Sequence, residues 1–463
     1  MIKLRFDKLA AVTGGTLYNT AQAAREFIGV VHDSRQVQPG SLFVAIRGER
    51  NDGHDFIDQA LNAGAAGVIV EYSYPRTPHI AGDVPVIAVE NSHEAMLALA
   101  TAYRNMLSAK FVAITGSNGK TTTKELTYHL VHAAVAECFR SPGNLNNLYG
   151  LPLSMFAIPH DTKIAVMELG ISTSIEMPRL AEIVRPDVTV VTNVGASHLE
   201  ALGTVENVAR AKLELVRRSA GGSVAVVNAD DRLLLSETLK LRDNPITFGI
   251  DNPEASVRPE AIESNEHGGS SVIIDGYRFN LPMPGRFQIY NLLAAFAVFK
   301  SLGLSFERID TAALVLSTAP MRGETMVRAG ITFVVDCYNA NPASMKAGIE
   351  AFAAGLPATR RVAVVGDMLE LGRDSRKYHE EIGRLIAGKN FDLVVFVGNA
   401  ARAMYKAAVD AGLSEKRSLY FESSQTAAEH LPELLHEGDR VYLKASRGIG
   451  LEAVLKPFNG ERV

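Results

Sequence analysis

The chain has 463 residues, of which 47% are hydrophobic and 21% are charged, and its formal net charge is -4 at neutral pH. This length exceeds what one hydrophobic core ordinarily serves and predicts about three domains. The small net charge and the lack of a long basic run argue against a nucleic-acid scaffold or a protein of the membrane surface.

Residues 1–108 are predicted to form a small α/β domain. The apolar segments SLFVAIRG and AGVIVE predict strands, whereas DFIDQALNAGA and SHEAMLALATAYRNML predict helices. The N-terminal stretch MIKLRFDKLAAVTGG has no apolar core of the kind found in signal peptides. We therefore expect no secretory signal peptide at this N-terminus.

Residues 109–319 are predicted to form a second α/β domain around a parallel sheet. Four apolar strands, KFVAITG, TKIAVMELG, DVTVVTNVG and GSVAVVNAD, alternate with helical segments. Strands alternating with helices indicate parallel pairing through crossover helices. Each strand runs into a polar or Gly-rich turn, and such turns form the ligand-binding edge of an open α/β sheet.

Residues 320–463 are predicted to form a third, Rossmann-like domain. The segments RRVAVVGDMLELG, FDLVVFVGNA and DRVYLKASRGIG each combine a strand with a loop, and Ala-rich helical stretches separate them. This is again the pattern of a doubly wound sheet. The whole chain is therefore expected to be of the α/β class.

The two cysteines and the short apolar runs bear on where the protein is located in the cell. Cys138 and Cys337 lie far apart without a C-x-x-C spacing, which argues against a disulfide framework or a zinc site. The apolar runs are strand-sized and well below the roughly 20 residues that span a bilayer. We expect a soluble cytoplasmic protein without a membrane span, and nothing in the sequence requires more than a monomer.

The stretch AITGSNGKTTTK carries the strongest local signal. Ile114 stands six residues before Lys120, so the strict G-x-x-x-x-G-K-[ST] pattern fails. A strand nevertheless enters the stretch and a helix leaves it, so backbone N–H groups can face an anion while Gly116 and Gly119 permit its close approach. Lys120 would reach the β- and γ-phosphates, and Thr121 would ligate Mg²⁺. The alternative is a strand-turn-helix that contains Gly-Lys-Thr by chance.

Two further candidates follow neighbouring strands. Glu168 ends the strand in TKIAVMELG, and His198 follows the strand in DVTVVTNVG. In a parallel sheet both emerge at the edge that holds the loop, and a hard cation between phosphates requires a carboxylate. A motor or switch NTPase would instead hold Mg²⁺ with a Walker-B Asp, and none is evident after this strand.

These motifs together resemble those of a known family. GSNGKTTTKE, SPGNLNNLYGLPLS, MELG, TNVGASHLEALG and ARAKLEL are similar to the ATP-dependent Mur ligases of peptidoglycan precursor synthesis, whose loop has this shortened form. HDSRQVQPGSLFVAIRGERNDGHDFI looks like the family's UDP-binding domain. The resemblance spans essentially the whole chain. It implies a small α/β UDP-binding domain, a central parallel-sheet P-loop ATPase domain and a C-terminal Rossmann-like ligase domain.

The resemblance also implies an activity. The segment DCYNANP, followed by VVGDMLELG, looks like the family members that add D-alanyl-D-alanine to UDP-N-acetylmuramoyl-tripeptide. ATP would convert the peptide carboxylate to an acyl phosphate, which the amine of the dipeptide then attacks. The sequence has no signature for lysine or diaminopimelate as third peptide residue. The open alternatives are a ligase for a single amino acid, a nucleotide-driven switch, and a silent UDP-sugar-binding relative.

The resemblance extends these roles to a larger set of residues. The ATP contacts would be Gly116, Asn118, Gly119, Lys120, Thr121, Thr122, Asn291, Arg322 and Asp336. The UDP-peptide and dipeptide contacts would be Asp33, Ser34, Arg35, Asn144, Asn146, Asn147, Tyr338, Asn339 and Asn341. One Mg²⁺ would be held by Thr121 and Glu168, and a second would lie near His198 and Lys212.

Four of these residues would carry the chemistry, namely Lys120, Glu168, His198 and Lys212. Lys212 would be a carbamylated lysine, in which CO₂ has converted the amine to a carboxylate-like ligand. The N-terminal domain also holds Asp52, His54 and Asp55, whose individual roles the resemblance does not assign.

The chain departs from the family pattern in three places. Ser174-Ile-Glu176 lacks the usual Gly, Glu324 stands where an Arg is usual, and Phe287 stands where a His is usual. These departures weaken the case for the predicted contacts to the peptide and the nucleotide. They leave the phosphate loop, Glu168, His198 and Lys212 unaffected.

Overall fold

The computed structural model describes residues 1–75, 80, 84–264, 269–282, 285–316, 319–355 and 359–458. Its N-terminal part contains a five-stranded sheet of order β2-β7-β6-β5-β4, parallel except for β2, and a separate antiparallel pair β1-β3. Its elements are β1 Lys3–Arg5, α1 Phe6–Thr13, β2 Thr16–Tyr18, β3 Glu26–Ile28, β4 Val30–Val31, β5 Leu42–Val44, α2 Ile57–Asn62, β6 Gly67–Glu71, β7 Val86–Val89 and α3 Ser92–Met106.

The central part contains a six-stranded parallel sheet of order β13-β12-β11-β8-β10-β9, followed by a three-stranded antiparallel sheet β14-β15-β16. The elements up to the end of β12 are β8 Lys110–Thr115, α4 Lys120–Ala134, β9 Cys138–Arg140, α5 Gly150–Phe156, β10 Ile164–Glu168, α6 Glu176–Val184, β11 Val188–Val191, α7 Leu199–Leu202, α8 Val205–Arg218 and β12 Val224–Asn228. The remaining elements are α9 Arg232–Leu239, β13 Ile246–Phe248, β14 Ala261–Ser264, β15 Ser270–Ile274, β16 Tyr277–Leu281 and α10 Arg286–Ser301.

The C-terminal part contains a six-stranded sheet of order β17-β18-β22-β19-β20-β21, in which only β17 is antiparallel to its neighbour. Its elements are β17 Glu324–Arg328, β18 Ile331–Val335, α11 Pro342–Ala354, β19 Arg360–Gly366, α12 Ser375–Ala387, β20 Leu393–Val397, α13 Ala401–Asp410, β21 Ser418–Phe421, α14 Ser424–Leu434 and β22 Asp439–Lys444.

Sequence pattern explains why these segments fold as they do. β10, β11 and β20 are short apolar runs whose residues are all buried, as expected for parallel strands covered on both faces. Helix α8 is amphipathic and starts at Thr204, whose hydroxyl accepts the N–H of Asn207. The predicted α/β class and parallel sheets are thus confirmed, whereas the division at residues 108 and 319 stays a prediction.

The apolar cores show how the three parts are connected. One continuous core joins the N-terminal part to the central sheet and includes Phe6, Tyr103 and Phe111. Helix α10 and the three-stranded sheet cover the other face of the central sheet. The C-terminal sheet has separate cores on its two faces. Over the described ranges, no helix combines the length and apolarity needed to cross a bilayer.

Candidate active site

The phosphate loop connects β8 to α4 and requires glycine at two positions. Gly116 and Gly119 have φ angles of 151° and 81°. A Cβ atom at Gly116 would lie 1.9 Å from Oγ1 of Thr192, and one at Gly119 would lie 2.2 Å from Oδ1 of Asn291. A residue with a side chain at either position would therefore clash with a neighbouring side chain and would also strain the backbone. The first backbone N–H groups of α4 have no partner within the helix and can therefore donate to an anion.

The end of β11 holds this shortened loop in place. The backbone N–H of Ser117 donates to the carbonyl of Asn193 at 3.0 Å, and the N–H of Asn118 donates to Oδ1 of Asn193 at 2.9 Å. The Thr192 hydroxyl donates to the carbonyl of Asn118 at 2.5 Å, and the hydroxyls of Ser117 and Ser197 lie 2.9 Å apart. The loop is therefore fixed before any nucleotide binds.

Two lysine side chains converge on one carbonyl oxygen of the loop. Nζ of Lys120 donates to the Gly116 carbonyl at 2.8 Å, and Nζ of Lys212 donates to the same oxygen at 3.2 Å. Burial lowers the pKa of Lys120, and the negative charge of Glu168 partly opposes this shift. Burial and the charge of Lys120 lower the pKa of Lys212 well below its ordinary value. The charge of Lys120 thus disfavours protonation of Lys212, and an anion beside the two lysines would relieve this repulsion.

Glu168 provides a buried carboxylate at the end of β10. The residue is 1% exposed, and its Oε1 accepts a hydrogen bond from Nδ2 of Asn146 at 2.8 Å. Oε2 is buried without a hydrogen-bond partner and lies 3.9 Å from Nζ of Lys124. Thr121 is buried as well. An unpartnered buried carboxylate oxygen fits a bound cation, because its lone pairs are otherwise unsatisfied.

The structure describes no group of three or more His, Cys, Asp or Glu side chains placed to hold a metal ion. A cation at Glu168 would therefore draw on other donor types, such as the Thr121 hydroxyl, phosphate oxygens or a modified lysine.

His198 lies at the start of α7 with a left-handed backbone, φ 53°. Its Nδ1 lies 2.6 Å from Oε2 of Glu370 in the C-terminal part, at ion-pair distance although off the angles of a well-formed hydrogen bond. The imidazole lowers the pKa of the Glu370 carboxyl. The sequence reasoning did not single out Glu370, and no local pattern marks a contact formed between distant segments.

A cavity of about 340 Å³ lies between the phosphate loop and the C-terminal part. It collects nine of the residues predicted to contact the nucleotide or substrates, namely Asn118, Gly119, Lys120, Thr122, Asn291, Arg322, Asp336, Asn339 and Asn341. Phe287, which stands where the family has His, also lines it, as do Gln288 and Tyr290. Glu168, His198 and Lys212 are not among the lining residues, although Lys212 shares the Gly116 carbonyl with Lys120.

The C-terminal part contributes a second set of polar groups to this cavity. Oδ2 of Asp336 accepts hydrogen bonds from Nζ of Lys444 at 2.7 Å and from the Tyr442 hydroxyl at 2.9 Å. Nδ2 of Asn341 donates to Oδ1 of Asn118 in the phosphate loop at 2.7 Å. This hydrogen bond closes the C-terminal part onto the loop.

Lys444 was missed by the sequence reasoning. A lysine that ends the apolar strand β22 is the signal that marks it, because such a residue is rarely buried unless it is paired.

Four predicted residues lie together beside Glu168. The guanidinium carbon of Arg322 lies 4.2 Å from the ring centre of Tyr338, a cation–π contact. Burial raises the pKa of Tyr338, and a hydrogen bond with Asn144 opposes that rise. Asn146 contacts Glu168 directly. The neighbourhood therefore combines amide, hydroxyl and guanidinium groups, which suit a peptide carboxylate.

Two predicted substrate residues have local structural roles. Oδ1 of Asn147 accepts the backbone N–H of Gly150 at 2.9 Å at the start of α5. Oδ1 of Asn339 accepts the N–H of Ala340 at 2.9 Å. Neither observation tests a contact with substrate, so both roles stay predictions.

The predicted UDP residues lie in the N-terminal part and outside the cavity. The Arg35 side chain is 81% exposed, and its Nη2 pairs with Oδ2 of Asp33 at 2.6 Å. Hydrogen bonding from Arg35 holds the pKa of Asp33 at about 2. The Ser34 hydroxyl donates to Gln59 at 3.0 Å. Arg35 therefore has to exchange a carboxylate partner for a diphosphate if it binds one.

Asp52 and His54 join a loop to strand β6. Asp52 caps the turn, accepting the N–H of His54 at 3.0 Å, and also contacts Nδ1 of His54 at 2.5 Å. Nε2 of His54 accepts the backbone N–H of Glu71 at 3.0 Å. With both ring nitrogens engaged and the ring buried, His54 has a structural role here, and Asp55 is exposed.

The fold and the site together define a class of protein. A shortened phosphate loop at the edge of a parallel sheet faces two lysines and a buried glutamate, and a second α/β unit supplies Arg322 and Asp336. This is the arrangement of a nucleotide-dependent enzyme whose site lies between domains.

Comparison with known proteins identifies the family. Residues 26–104 match the model described as Mur ligase family, catalytic domain, residues 114–299 match the Mur ligase middle domain, and residues 321–447 match the Mur ligase, glutamate ligase domain. The chain therefore belongs to the Mur ligase family.

Relatives of full length support this assignment. The UDP-N-acetylmuramoyl-tripeptide--D-alanyl-D-alanine ligase of Bacillus subtilis is 33% identical, with 98% of each chain covered. A crystal structure of MurF from Acinetobacter baumannii is 26% identical with a TM-score of 0.87 and 99% of each chain covered. MurF ligase from Thermotoga maritima in complex with ADP is 32% identical with a TM-score of 0.80, covering 93% of this chain and 97% of that one.

Proposed function

We propose that this protein joins D-alanyl-D-alanine to UDP-N-acetylmuramoyl-tripeptide, with conversion of ATP to ADP and phosphate. The observation that carries the proposal is the cavity in which Lys120 of the phosphate loop faces Arg322 and Asp336 of the C-terminal part. The names of the full-length relatives supply the substrates. The DCYNANP segment supports the same branch of the family, because it contributes Asp336, Asn339 and Asn341 to that cavity.

The ATP would bind with its phosphates on the loop. Backbone N–H groups at the start of α4 and Nζ of Lys120 would contact the β- and γ-phosphates. Asp336 at the end of β18 would accept hydrogen bonds from the ribose, with Lys444 holding its other side. The base would lie towards Asn291 and Tyr290, which line the same cavity.

The residues present fit a Mg²⁺ ion. Glu168 has an unpartnered buried oxygen, and Thr121 places its hydroxyl at the start of α4. Thr121 and Glu168 would hold one Mg²⁺, and His198 with a carbamylated Lys212 would hold a second. When bound, Mg²⁺ offsets the negative charge of the phosphates and of the attacking carboxylate.

The environment of Lys212 favours carbamylation. CO₂ reacts with a neutral amine, and burial lowers the pKa of Lys212, which increases the neutral fraction at a given pH. The carbamate would place an anion beside Lys120, converting the repulsion that lowers the pKa of Lys212 into attraction between the two side chains. This change would also supply a ligand of the carboxylate type that the cation needs.

The chain's own groups account for the two chemical steps. In the first, a carboxylate oxygen of the tripeptide bonds to the γ-phosphorus and ADP leaves, with Lys120 and Arg322 offsetting the charge of the two anions. In the second, the neutral amine of the dipeptide bonds to the acyl carbon, the bond between that carbon and the phosphate oxygen breaks, and the amine gives up a proton to the released phosphate. Closing the C-terminal part over the loop keeps water from the acyl phosphate, and the hydrogen bond from Asn341 to Asn118 stabilises that arrangement.

The test is product analysis with purified protein, ATP, Mg²⁺ and UDP-N-acetylmuramoyl-tripeptide. We expect a product of pentapeptide mass only when D-alanyl-D-alanine is present. Turnover with a single amino acid would instead indicate another ligase of the family, and phosphate release without a new amide would indicate a switch. Parallel reactions with lysine- and diaminopimelate-containing tripeptides identify the third residue. A cytoplasmic location and a monomeric state stay predictions from the sequence.

Replacement of Lys120 separates nucleotide chemistry from UDP-substrate binding. We expect Lys120→Met to abolish product formation, because it removes the ammonium that faces the phosphates. The UDP substrate should still bind, since the predicted UDP residues lie in the N-terminal part. Loss of both properties would contradict this division of labour, and isothermal titration with the UDP substrate measures the second.

A further inference from the structure

His198 and Glu370 belong to different parts of the chain and meet across the interface between them. Nδ1 of His198 lies 2.6 Å from Oε2 of Glu370. Both residues have left-handed backbones, with φ angles of 53° and 62°. Residues other than glycine rarely adopt this conformation, and where they do, the surrounding fold holds them there, often at functional sites. Two such residues in mutual contact indicate an arrangement that the fold enforces.

The C-terminal fold fixes the position of Glu370. Glu370 lies in the segment that follows β19. In the same segment, the backbone N–H of Met368 donates to Nε2 of the buried His379 at 3.0 Å. Met368 and Leu371 are buried on either side of Glu370, which leaves the glutamate to extend from the surface. The carboxylate is therefore presented by a packed segment rather than by a loose loop.

The two parts of the chain touch directly beside this contact. A Cβ atom on Gly372 would lie 3.4 Å from the backbone N and Cα of Glu200, the second residue of α7. The turn at residues 372–374 therefore lies so close to α7 that an added methyl group would only just fit between them. The carboxylate of Glu370 therefore reaches His198 when the C-terminal part packs against α7, and a small separation of the two parts removes it.

A carboxylate at Nδ1 has a defined effect on an imidazole. In neutral histidine one ring nitrogen carries the proton and the other carries a lone pair. A carboxylate beside Nδ1 favours the proton there and leaves the lone pair on Nε2. Metal-binding histidines commonly make this second contact, which orients the ring and raises the basicity of the ligand.

We propose that Glu370 is a positioning residue for His198 and selects the tautomer with its lone pair on Nε2 when the C-terminal part closes. Cation binding is then completed by closure of the domains. This inference rests on the proposed function, which assigns His198 to the cation. The glutamate itself contacts neither substrate nor cation in this proposal.

The test measures cation affinity without turnover. Mn²⁺, whose free form gives a paramagnetic resonance signal, is titrated into the full-length protein in the presence of saturating ADP. We expect Glu370→Gln to weaken Mn²⁺ binding by about 10-fold, because an outer-shell partner of a metal ligand contributes 10- to 100-fold to affinity. Glu200→Gln, which removes an equal charge from the same interface without contacting the ring, should leave Mn²⁺ affinity unchanged.

A merely structural role gives a different result. Glu370→Gln would then lower the unfolding temperature while binding Mn²⁺ like the wild type, and that result would overturn the proposal. Equal weakening in Glu200→Gln would overturn it too, because interface charge alone would then explain the effect. If Glu370→Gln does not fold, Glu370→Asp withdraws the carboxylate by one methylene and should weaken Mn²⁺ binding in the same direction.

The proposed function can fail separately. A wild-type protein that makes no pentapeptide would refute that function, whereas a 10-fold difference in Mn²⁺ affinity would still support positioning by Glu370.

Discussion

At the scale of single residues, the site is organised around one backbone oxygen. The Gly116 carbonyl accepts hydrogen bonds from both Lys120 and Lys212, so the two side-chain nitrogens lie close together. Such an arrangement is unfavourable by itself and is relieved by an anion. The phosphate groups of a nucleotide, or a carbamate on Lys212, each supply that anion.

Substitution of Gly119 tests the close packing of the loop. In Gly119→Ala the new Cβ would lie 2.2 Å from Oδ1 of Asn291, at a φ of 81°. We expect loss of ADP binding together with a destabilisation of about 1–3 kcal/mol, the usual cost of backbone strain. Calorimetric titration with ADP and urea unfolding measure the two effects.

Gly276→Ala is the matched control for this substitution, with φ 77° and nothing within 4 Å of the added Cβ. We expect Gly276→Ala to be destabilised by a similar backbone strain but to bind ADP with normal affinity. Equal ADP affinity in both variants would contradict the steric account.

Lys212 gives a prediction that depends on pH. Below its lowered pKa the side chain is an ammonium and does not react with CO₂, whereas above that pKa it is a neutral amine. With ¹³C-bicarbonate, we expect a carbamate carbon signal that grows as pH rises through the lowered pKa. Lys212→Met should lack the signal and lose on the order of 100-fold in kcat, as when a charge-stabilising group is removed.

Lys240→Met, at an exposed lysine paired with Glu237, is the control and should keep both the signal and the rate. An unchanged carbon signal in Lys212→Met would place the modification elsewhere, and normal turnover would remove the carbamate from the mechanism.

At the scale of elements, helix ends and strand ends meet at the cavity. The phosphate loop precedes α4, Asp336 follows β18, and Asn341 caps α11 by accepting the N–H of Ser344 at 2.9 Å. Asn341 thus has two roles, because its amide nitrogen also donates to Asn118. The start of α11 is thereby linked to the phosphate loop.

Two cap substitutions separate these roles of Asn341. Asn341→Ala and Ser423→Ala each remove a side-chain cap, from α11 and α14, and each should cost about 1 kcal/mol of stability. Only Asn341→Ala also removes the hydrogen bond to the phosphate loop. We therefore expect a raised KM for ATP in that variant alone, measured by steady-state kinetics beside thermal unfolding. Equal KM values in the two variants would show that the link to Asn118 is unimportant.

At the scale of the whole molecule, the sequence pattern predicted the sheets more successfully than it predicted the contacts between the three parts of the chain. Apolar runs such as those of β10 and β20 predict buried parallel strands, because burial on both faces requires them. The antiparallel strand β14, AIES, was not predicted, since its side chains are mostly exposed and its pairing depends on β15.

The site was predicted only in part for the same reason. The phosphate loop is one contiguous segment, so its sequence reveals it. The pairs Lys444 with Asp336 and Glu370 with His198 join residues more than 100 positions apart. Such contacts follow from the packing of sheets and from the closure of domains, which no local pattern encodes.

The central claim is that ATP activates the peptide carboxylate before the amine attacks. It is tested most directly with UDP-N-acetylmuramoyl-tripeptide carrying ¹⁸O in the carboxylate that is joined. If an acyl phosphate forms, one labelled oxygen passes to the released phosphate and the other stays in the new amide, as mass spectrometry of both products will show. Labelled pentapeptide accompanied by unlabelled phosphate would contradict the account, because the carboxylate would then have reacted without bonding to the γ-phosphorus.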